Sequence, residues 1–345
     1  MHVSPAANRR MPNPTSANTS MPRGAAEAYI GRFAPSPTGP LHFGSLVSAL
    51  ASYAHARKAG GRWRVRMENL DPPREEPGAD DAILRSLDAH GLHWDGEVLY
   101  QSDRLDAYAQ MLDELQTQGL AYRCRCTRKD IHALGGVYDG RCRHRVIEPS
   151  EPHAWRLKLY DVPEACPEPA DPYTWHDLFQ GPQTLSLRRD VGDPIIKRKD
   201  GLFAYQLAVV VDDIHQGITH IIRGADLLPV SAGQVASFAL LGGKTPAFGH
   251  VPVALNERDQ KLSKQHHAPA LNPDRAGANL WHALHFLRQN PPGELLGATP
   301  EALLDWTREH WRNDLVRGMQ ARAPEEVLNP DNARSSHVAQ RTPHE

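Results

Sequence analysis

Long apolar runs are missing from this chain. None approaches the ~18 residues that a bilayer-crossing helix requires, so no membrane-spanning segment is expected. An excess of either charge is missing too. The formal net charge is −2 over 345 residues, so any contact with a polyanion has to come from local basic patches. Cysteine is scarce: there are four, with Cys124, Cys126 and Cys142 close together and Cys166 apart. A disulfide framework has more cysteines in a shorter secreted chain. Residues 1–28 lack the apolar core of a secretory signal and carry no acid before Glu27. Arg9, Arg10 and Arg23 would suit an organelle transit peptide, but the prolines there oppose an amphipathic helix. This stretch is expected to be a disordered extension, with Met11 and Met21 as alternative starts. Internal repeats are absent.

What is present suits an ordinary globular protein: 40% of residues are hydrophobic, and the length allows two or three compact units. Residues 29–34 are short and apolar, as a buried strand is. Pro35, Pro37, Gly39 and Pro40 then forbid regular structure. From residue 44 to 57, Leu46, Leu50, Tyr53 and Ala54 recur at a helical period. Over 62–68, Trp63, Val65 and Met67 alternate with Arg64, Arg66 and Glu68, which predicts a second strand with a polar face. Strand, helix and strand at this spacing form a crossover unit and predict a parallel sheet. Further helices are expected over 80–90, 103–118, 279–287 and 300–311, the last with Thr299 as cap and Pro300 at its first position. Residues 203–211 are the most apolar stretch, and 218–222 read as a strand. Residues 148–189 are Pro-rich and read as irregular, and the polar tail from Ala321 reads as frayed.

Two segments carry chemistry. In Arg32-Phe33-Ala34-Pro35-Ser36-Pro37-Thr38-Gly39-Pro40-Leu41-His42-Phe43-Gly44-Ser45 a strand ends, a small-residue loop turns and a helix starts. Such a junction gathers free N–H groups and the positive end of a helix dipole, which suits a phosphate. His42 can donate to a phosphate oxygen without a permanent charge, and Gly44 lets a flat adenine ring approach the backbone. The second segment, Lys261-Leu262-Ser263-Lys264-Gln265, sets two lysines three residues apart. They can stabilise charge that builds on a leaving pyrophosphate. Either segment alone reads as an ordinary loop; together they point to an ATP-dependent enzyme that makes an acyl-adenylate.

The pair resembles the HIGH and KMSKS signatures of class I aminoacyl-tRNA synthetases. Gly31-Arg32-Phe33-Ala34-Pro35-Ser36-Pro37-Thr38-Gly39 resembles the opening of the glutamyl-tRNA synthetases almost residue for residue. The likeness continues through Arg66-Met67-Glu68-Asn69-Leu70-Asp71 and Ile222-Arg223-Gly224-Ala225-Asp226-Leu227-Leu228, over roughly residues 29–271. A full-length glutamyl-tRNA synthetase would need about 150 further residues to read an anticodon, whereas 80 follow Gln265. Asp71-Pro72-Pro73-Arg74-Glu75, the block from Asp200 to Asp213, and Lys261 through Leu271 resemble the glutamyl-queuosine tRNA(Asp) synthetase family.

That resemblance implies an α/β fold: a Rossmann-like class I catalytic domain with a zinc-bearing insertion and a small helical C-terminal part. The expected division is a disordered extension (1–28), the catalytic domain (29–120 and 190–271), an inserted subdomain (121–189), the helical part (272–320) and a disordered tail (321–345). It further implies a cytoplasmic, monomeric enzyme using L-glutamate, ATP with Mg, and queuosine-bearing tRNA(Asp). Glutamate would be activated without tRNA, then passed to the cyclopentenediol of queuosine at the wobble position. The alternatives are a short ordinary glutamyl-tRNA synthetase and a tRNA-binding paralogue without chemistry; intact His42, Lys261 and Lys264 oppose the latter. By position, Arg32, Phe33, Ala34, Pro35 and Ser36 match the glutamate-binding segment, Glu68 the acid that takes the substrate ammonium, and Tyr205 and Arg223 the remaining contacts. His42, Gly44 and Lys264 match the ATP contacts, with His42, Lys261 and Lys264 as the catalytic set. Asn69, where related sequences often carry Asp, is a departure that leaves Glu68 in place.

Thiolates suit tetrahedral zinc, and three cysteines are one ligand short. His132, His144 and Tyr138 are candidates for the fourth position, and spacing alone favours a histidine. The family pattern instead matches Cys124, Cys126, Tyr138 and Cys142. The same segment carries Arg123, Arg125, Arg128, Lys129, Arg141, Arg143 and Arg145 against Asp130 and Asp139, a candidate phosphate-contacting knob.

Overall fold

The computed structural model describes residues 28–262 and 268–328. In chain order its strands are β1 (Ile30–Phe33), β2 (Arg62–Met67), β3 (Leu99–Tyr100), β4 (Ala121–Cys124), β5 (Ala154–Leu157), β6 (Tyr173–Asp177), β7 (Gly181–Leu185), β8 (Ile195–Lys197), β9 (His220–Gly224), β10 (Ala247–Val251), β11 (Val253–Leu255) and β12 (Gln320–Arg322). Its helices are α1 (Phe43–Lys58), α2 (Ala79–Ala89), α3 (Leu105–Thr117), α4 (Arg128–Ala133), α5 (Tyr205–His215), α6 (Leu228–Leu240), α7 (Ala276–Phe286), α8 (Pro300–His310) and α9 (Glu325–Leu328).

Seven strands form the main sheet in the order β3-β2-β1-β9-β10-β6-β7. All neighbours are parallel except the β6–β7 hairpin at the edge. One hydrophobic cluster gathers α1 and the C-terminal helices, and a second gathers α3, α5 and α6. The chain leaves β1 for β2 on one side, while β9 pairs on the other. In open parallel sheets the crevice beyond the strand ends at such a switch point receives ligands.

Helix α1 explains how this crevice is anchored. It packs on β1 and also under α7 and α8, so Val47, Ala49 and Ala51 are buried along with the residues of the predicted stripe. The C-terminal helices therefore share the core of the catalytic sheet through Leu280, Leu284 and Leu303.

Two expectations are corrected. Residues 148–189 are not irregular: they hold β5, β6 and β7, and the last two extend the main sheet through β10. Flanking prolines and the polar outward residues of an edge hairpin hide them from sequence patterning. Residues 321 and 322 pair within β12 against β11, and α9 follows, so residues 321–328 hold regular structure rather than a frayed end, while residues 329–345 lie outside the described residues. Arg66, assigned to a polar face, is fully buried in an ion cluster. No helix among the described residues is long and apolar enough to cross a membrane. The N-terminal extension lies outside the described residues, apart from its last residue.

Candidate active site

A cleft of about 880 Å³ opens at the switch point. Arg32, Phe33, Ala34, Pro35, Ser36, His42, Gly44, Glu68, Tyr205, Arg223 and Lys261 all line it. Eleven of the sequence-selected residues thus meet in one place. Lys264 lies outside the described residues, as do Ser263 and Gln265.

One end of the cleft is the start of α1. His42 caps this helix, its Nδ1 accepting the Ser45 N–H at 3.3 Å. That bond puts the neutral ring's proton on Nε2. The first turn of α1 carries no acid, so its positive dipole end is uncompensated and suits a phosphate. Lys261 pairs with Asp226 at 2.6 Å in this region, an exposed contact that an incoming phosphate can exchange for its own charge.

Gly44 packs against its own cap residue. A Cβ there would lie 3.2 Å from His42 Cε1 and 3.3 Å from its Nδ1. Alanine favours helix by up to about 1 kcal/mol over glycine. Displacing the His42 ring would also break its cap bond to Ser45, which offsets that gain. Gly44→Ala is therefore expected to leave the unfolding midpoint little changed while raising the ATP KM several-fold. An unchanged ATP KM in a folded Gly44→Ala variant refutes this.

The other end is built around ions. Arg66 donates to Asp213 Oδ1 at 2.7 Å and to Gln216 Oε1 at 3.0 Å, and reaches Glu68 at 3.3 Å. Arg32 Nε reaches the same Asp213 oxygen at 3.4 Å. Burial raises the Glu68 carboxyl above its ordinary range, against the pull of Arg66 and Arg32. Phe33 lines the wall, but its ring stacks on Trp63 in the core, with centroids 6.3 Å apart. Pro35 O accepts the Glu68 N–H at 2.9 Å, tying the loop after β1 to the end of β2.

Arg223 projects from β9 and is buried. Its Nε donates to His250 at 3.1 Å, one terminal nitrogen to the Tyr205 hydroxyl at 3.0 Å, and the other to Ser231 Oγ at 2.7 Å. All three partners are uncharged, and burial lowers its pKa. Arg32, Arg66 and Arg223 against Glu68 and Asp213 leave one positive charge in excess, matching a ligand with one ammonium and two carboxylates. Asp213, Gln216, Ser231 and His250 escaped sequence reading. Asp213 closes the block that begins at Asp200, but nothing in that block marks it as a partner of Arg66, and Gln216, Ser231 and His250 lie outside the signature segments, so only the fold brings the four here.

The cysteine segment forms its own small cluster of Tyr122, Cys124, Tyr138, Cys142 and Ile147. The sulfurs of Cys124, Cys126 and Cys142 all lie within 4.8 Å of one another. Cys126 and Cys142 are 3.6 Å apart, close to the ~3.8 Å edge of a tetrahedron with Zn–S bonds of about 2.3 Å. Neither His132 nor His144 joins the group. The buried Tyr138 hydroxyl accepts the Cys142 N–H at 2.9 Å and hydrogen-bonds the Cys142 and Cys124 side chains. Burial and the neighbouring thiols push Cys126 up to about 12. A cation would reverse that preference, because a coordinating thiol is deprotonated outright. The donor set therefore fits a thiophilic metal.

Asp193 moors this knob. It accepts the Tyr122 hydroxyl and two bonds of 2.6 Å from Arg143. Gly192, at φ +70°, lets the backbone run against Tyr138, where a Cβ would meet the carbonyl at 2.5 Å. Several of the basic residues are committed internally: Arg125 to Glu151, Arg141 to Asp139, and Arg143 to Asp193. Arg128, Lys129 and Arg145 are exposed and make no ion pair among the described residues.

Residues 30–276 match the family of class I tRNA synthetases (E and Q), catalytic domain. The chain is 52% identical over 295 residues to a glutamyl-Q tRNA(Asp) synthetase of Thiobacillus denitrificans, covering 84% of this chain and 95% of that one. It is 51% identical over 284 residues to the protein of that name in Ectopseudomonas mendocina, covering 82% and 93%. Among solved structures, a glutamate-tRNA synthetase from Elizabethkingia anophelis superposes with a TM-score of 0.71 at 24% identity, over 90% of this chain and 71% of that one. A glutamate tRNA ligase from Elizabethkingia meningosepticum, in complex with its amino acid, gives 0.68 at 24% identity, over 90% and 70%. These two show a shared fold. The chain belongs to the class I tRNA synthetases for E and Q and, within them, to the glutamyl-Q tRNA(Asp) synthetase family.

Proposed function

We propose that the chain activates L-glutamate with ATP and passes the glutamyl group to the cyclopentenediol of queuosine at the wobble position of tRNA(Asp), leaving the tRNA 3′ end uncharged. The single observation that carries the acyl group is that Glu68 and the hydrogen-bonded Arg223 and Tyr205 line one cleft, together with the phosphate-suited start of α1. The identity to glutamyl-Q relatives supports the acceptor.

In the first step the substrate's α-carboxylate oxygen attacks the α-phosphorus of ATP. The bond to the β-phosphate oxygen breaks, and pyrophosphate leaves. Glu68 takes the ammonium, Arg223 and Tyr205 take the side-chain carboxylate, and Arg32 with the Phe33–Ser36 segment frames the backbone of the amino acid. His42 donates to a phosphate oxygen from Nε2, Gly44 leaves room for the adenine, and Lys261 and Lys264 stabilise the leaving pyrophosphate, with Mg accompanying ATP. In the second step a ring hydroxyl of queuosine attacks the acyl carbon, an ester forms, AMP leaves, and the hydroxyl proton passes to solvent. No strong general base is required, since positioning and charge stabilisation carry both steps. Cys124, Cys126, Cys142 and Tyr138 would hold one zinc ion, which supplies structural rigidity to the knob. Arg128, Lys129 and Arg145 are the arginines and lysine left to meet tRNA phosphates.

Glu68 gives this reading a pH dependence. A protonated carboxyl cannot hold the ammonium, so kcat/KM for glutamate falls as pH drops through the raised Glu68 pKa. The limb is expected above the ordinary glutamate range of about 4.3, and Glu68→Gln should lose both the limb and most activity. An unaltered limb in Glu68→Gln assigns it elsewhere. The deciding experiment is incubation with radiolabelled glutamate and tRNA(Asp) with and without queuosine. Label should appear only on the queuosine-bearing tRNA, and pyrophosphate exchange should proceed without tRNA. Labelling of queuosine-free tRNA, or a strict tRNA requirement for exchange, would sink the assignment in favour of a short ordinary glutamyl-tRNA synthetase.

A further inference from the structure

Behind Arg223 stands a buried pair that no motif marks. Asp177, at the end of β6, is fully buried. Its Oδ1 accepts the N–H groups of Phe179 and Gln180 at 3.0 Å each and of His250 at 3.1 Å. Its Oδ2 faces His250 Nδ1 at 2.5 Å. Burial works to raise this carboxyl, but the hydrogen bonds from His250, Gln180 and Phe179 bring it below the usual range. An ionised Asp177 makes Nδ1 the proton-bearing nitrogen and leaves Nε2 as an acceptor. That lone pair lies 3.1 Å from Arg223 Nε and 2.9 Å from Ser231 Oγ. Ser231 in turn accepts from Arg223 at 2.7 Å.

A guanidinium has five N–H donors in one plane. Fixing Nε–H on His250 and one N–H on Ser231 sets that plane, since both partners are themselves buried and held. One N–H on each terminal nitrogen stays unused by the hydrogen bonds of Arg223, which lines the cleft. We infer that Asp177 and His250 are positioning residues: through the tautomer of His250 they orient Arg223 so that its unused donors meet the side-chain carboxylate of the amino acid. This rests on the assignment of Arg223 to that carboxylate. A histidine with its proton on Nε2 would turn a donor toward a donor and tilt the fork away.

The test is pyrophosphate exchange at varied glutamate and varied ATP for His250→Ala, His250→Gln, Asp177→Asn and Arg223→Gln, with thermal unfolding of each. His250→Ala is expected to raise the glutamate KM about tenfold or more and leave the ATP KM within about twofold. His250→Gln, whose amide can accept from Arg223 and donate to Asp177, should recover most of the loss. Asp177→Asn should behave as His250→Ala does. A normal glutamate KM in His250→Ala beside a raised one in Arg223→Gln overturns the positioning role and spares the reading of Arg223. A normal glutamate KM in Arg223→Gln overturns that reading itself. Equal rises in both KM values without rescue by glutamine mark a merely structural pair and also overturn the inference.

Discussion

Replacing Arg223 by glutamine is expected to lower kcat/KM for glutamate about a thousandfold while the protein stays as stable as before, or becomes more so. The reason lies in how this cation is housed. It is buried, it makes no ion pair among the described residues, and its partners Tyr205, His250 and Ser231 are neutral. A buried cation without a counter-ion costs stability, and glutamine removes that cost. The ligand supplies the missing anion. Removing one partner of a buried pair costs roughly 3–5 kcal/mol, and each ~1.4 kcal/mol is a factor of ten. Lysine should rescue little, because it cannot keep three fixed donors and still offer a fork. Exchange kinetics together with thermal unfolding check both halves. A large stability loss with intact glutamate affinity contradicts the assignment.

The second large effect concerns the cysteines. Cys142→Ser is expected to abolish binding of one zinc equivalent and to open residues 121–147 to protease. The knob's apolar cluster has only five buried members and is separate from both larger cores. So few residues cannot offset the ordering of such a loop, whereas a structural zinc contributes about 10 kcal/mol or more. Because the cleft is built from other elements, glutamate activation should survive while transfer to tRNA(Asp) falls steeply. Metal analysis, limited proteolysis and the two half-reactions measured separately decide this. A full zinc equivalent in Cys142→Ser refutes the site, and a full equivalent in Tyr138→Phe removes Tyr138 as the fourth ligand.

Much of this was legible in the chain because the relevant physics is local. The loop from Arg32 to Ser45 must leave a strand and enter a helix within a few residues, so its turn and its cap are written consecutively. The thiols of Cys124 and Cys126 share a metal-binding spacing for the same reason. The alternation of Trp63, Val65 and Met67 announced a strand, and all three are fully buried. The hairpin β6–β7 was illegible because an edge element keeps polar residues outward and carries Pro182 within it.

The ion clusters were decided by the tertiary structure alone. Arg66 read only as a member of the polar face of β2, and an isolated arginine belongs in water. It is buried only because Asp213 and Gln216, 147 and 150 residues away, arrive to satisfy it. His250 read as nothing at all, yet Asp177 reaches it across 73 residues. The sequence by itself determined the chemistry of the cleft, since it spells the residue types that touch the ligands. Only the fold determined how those residues are held, since a charge can be buried only where distant chain segments bring its partners.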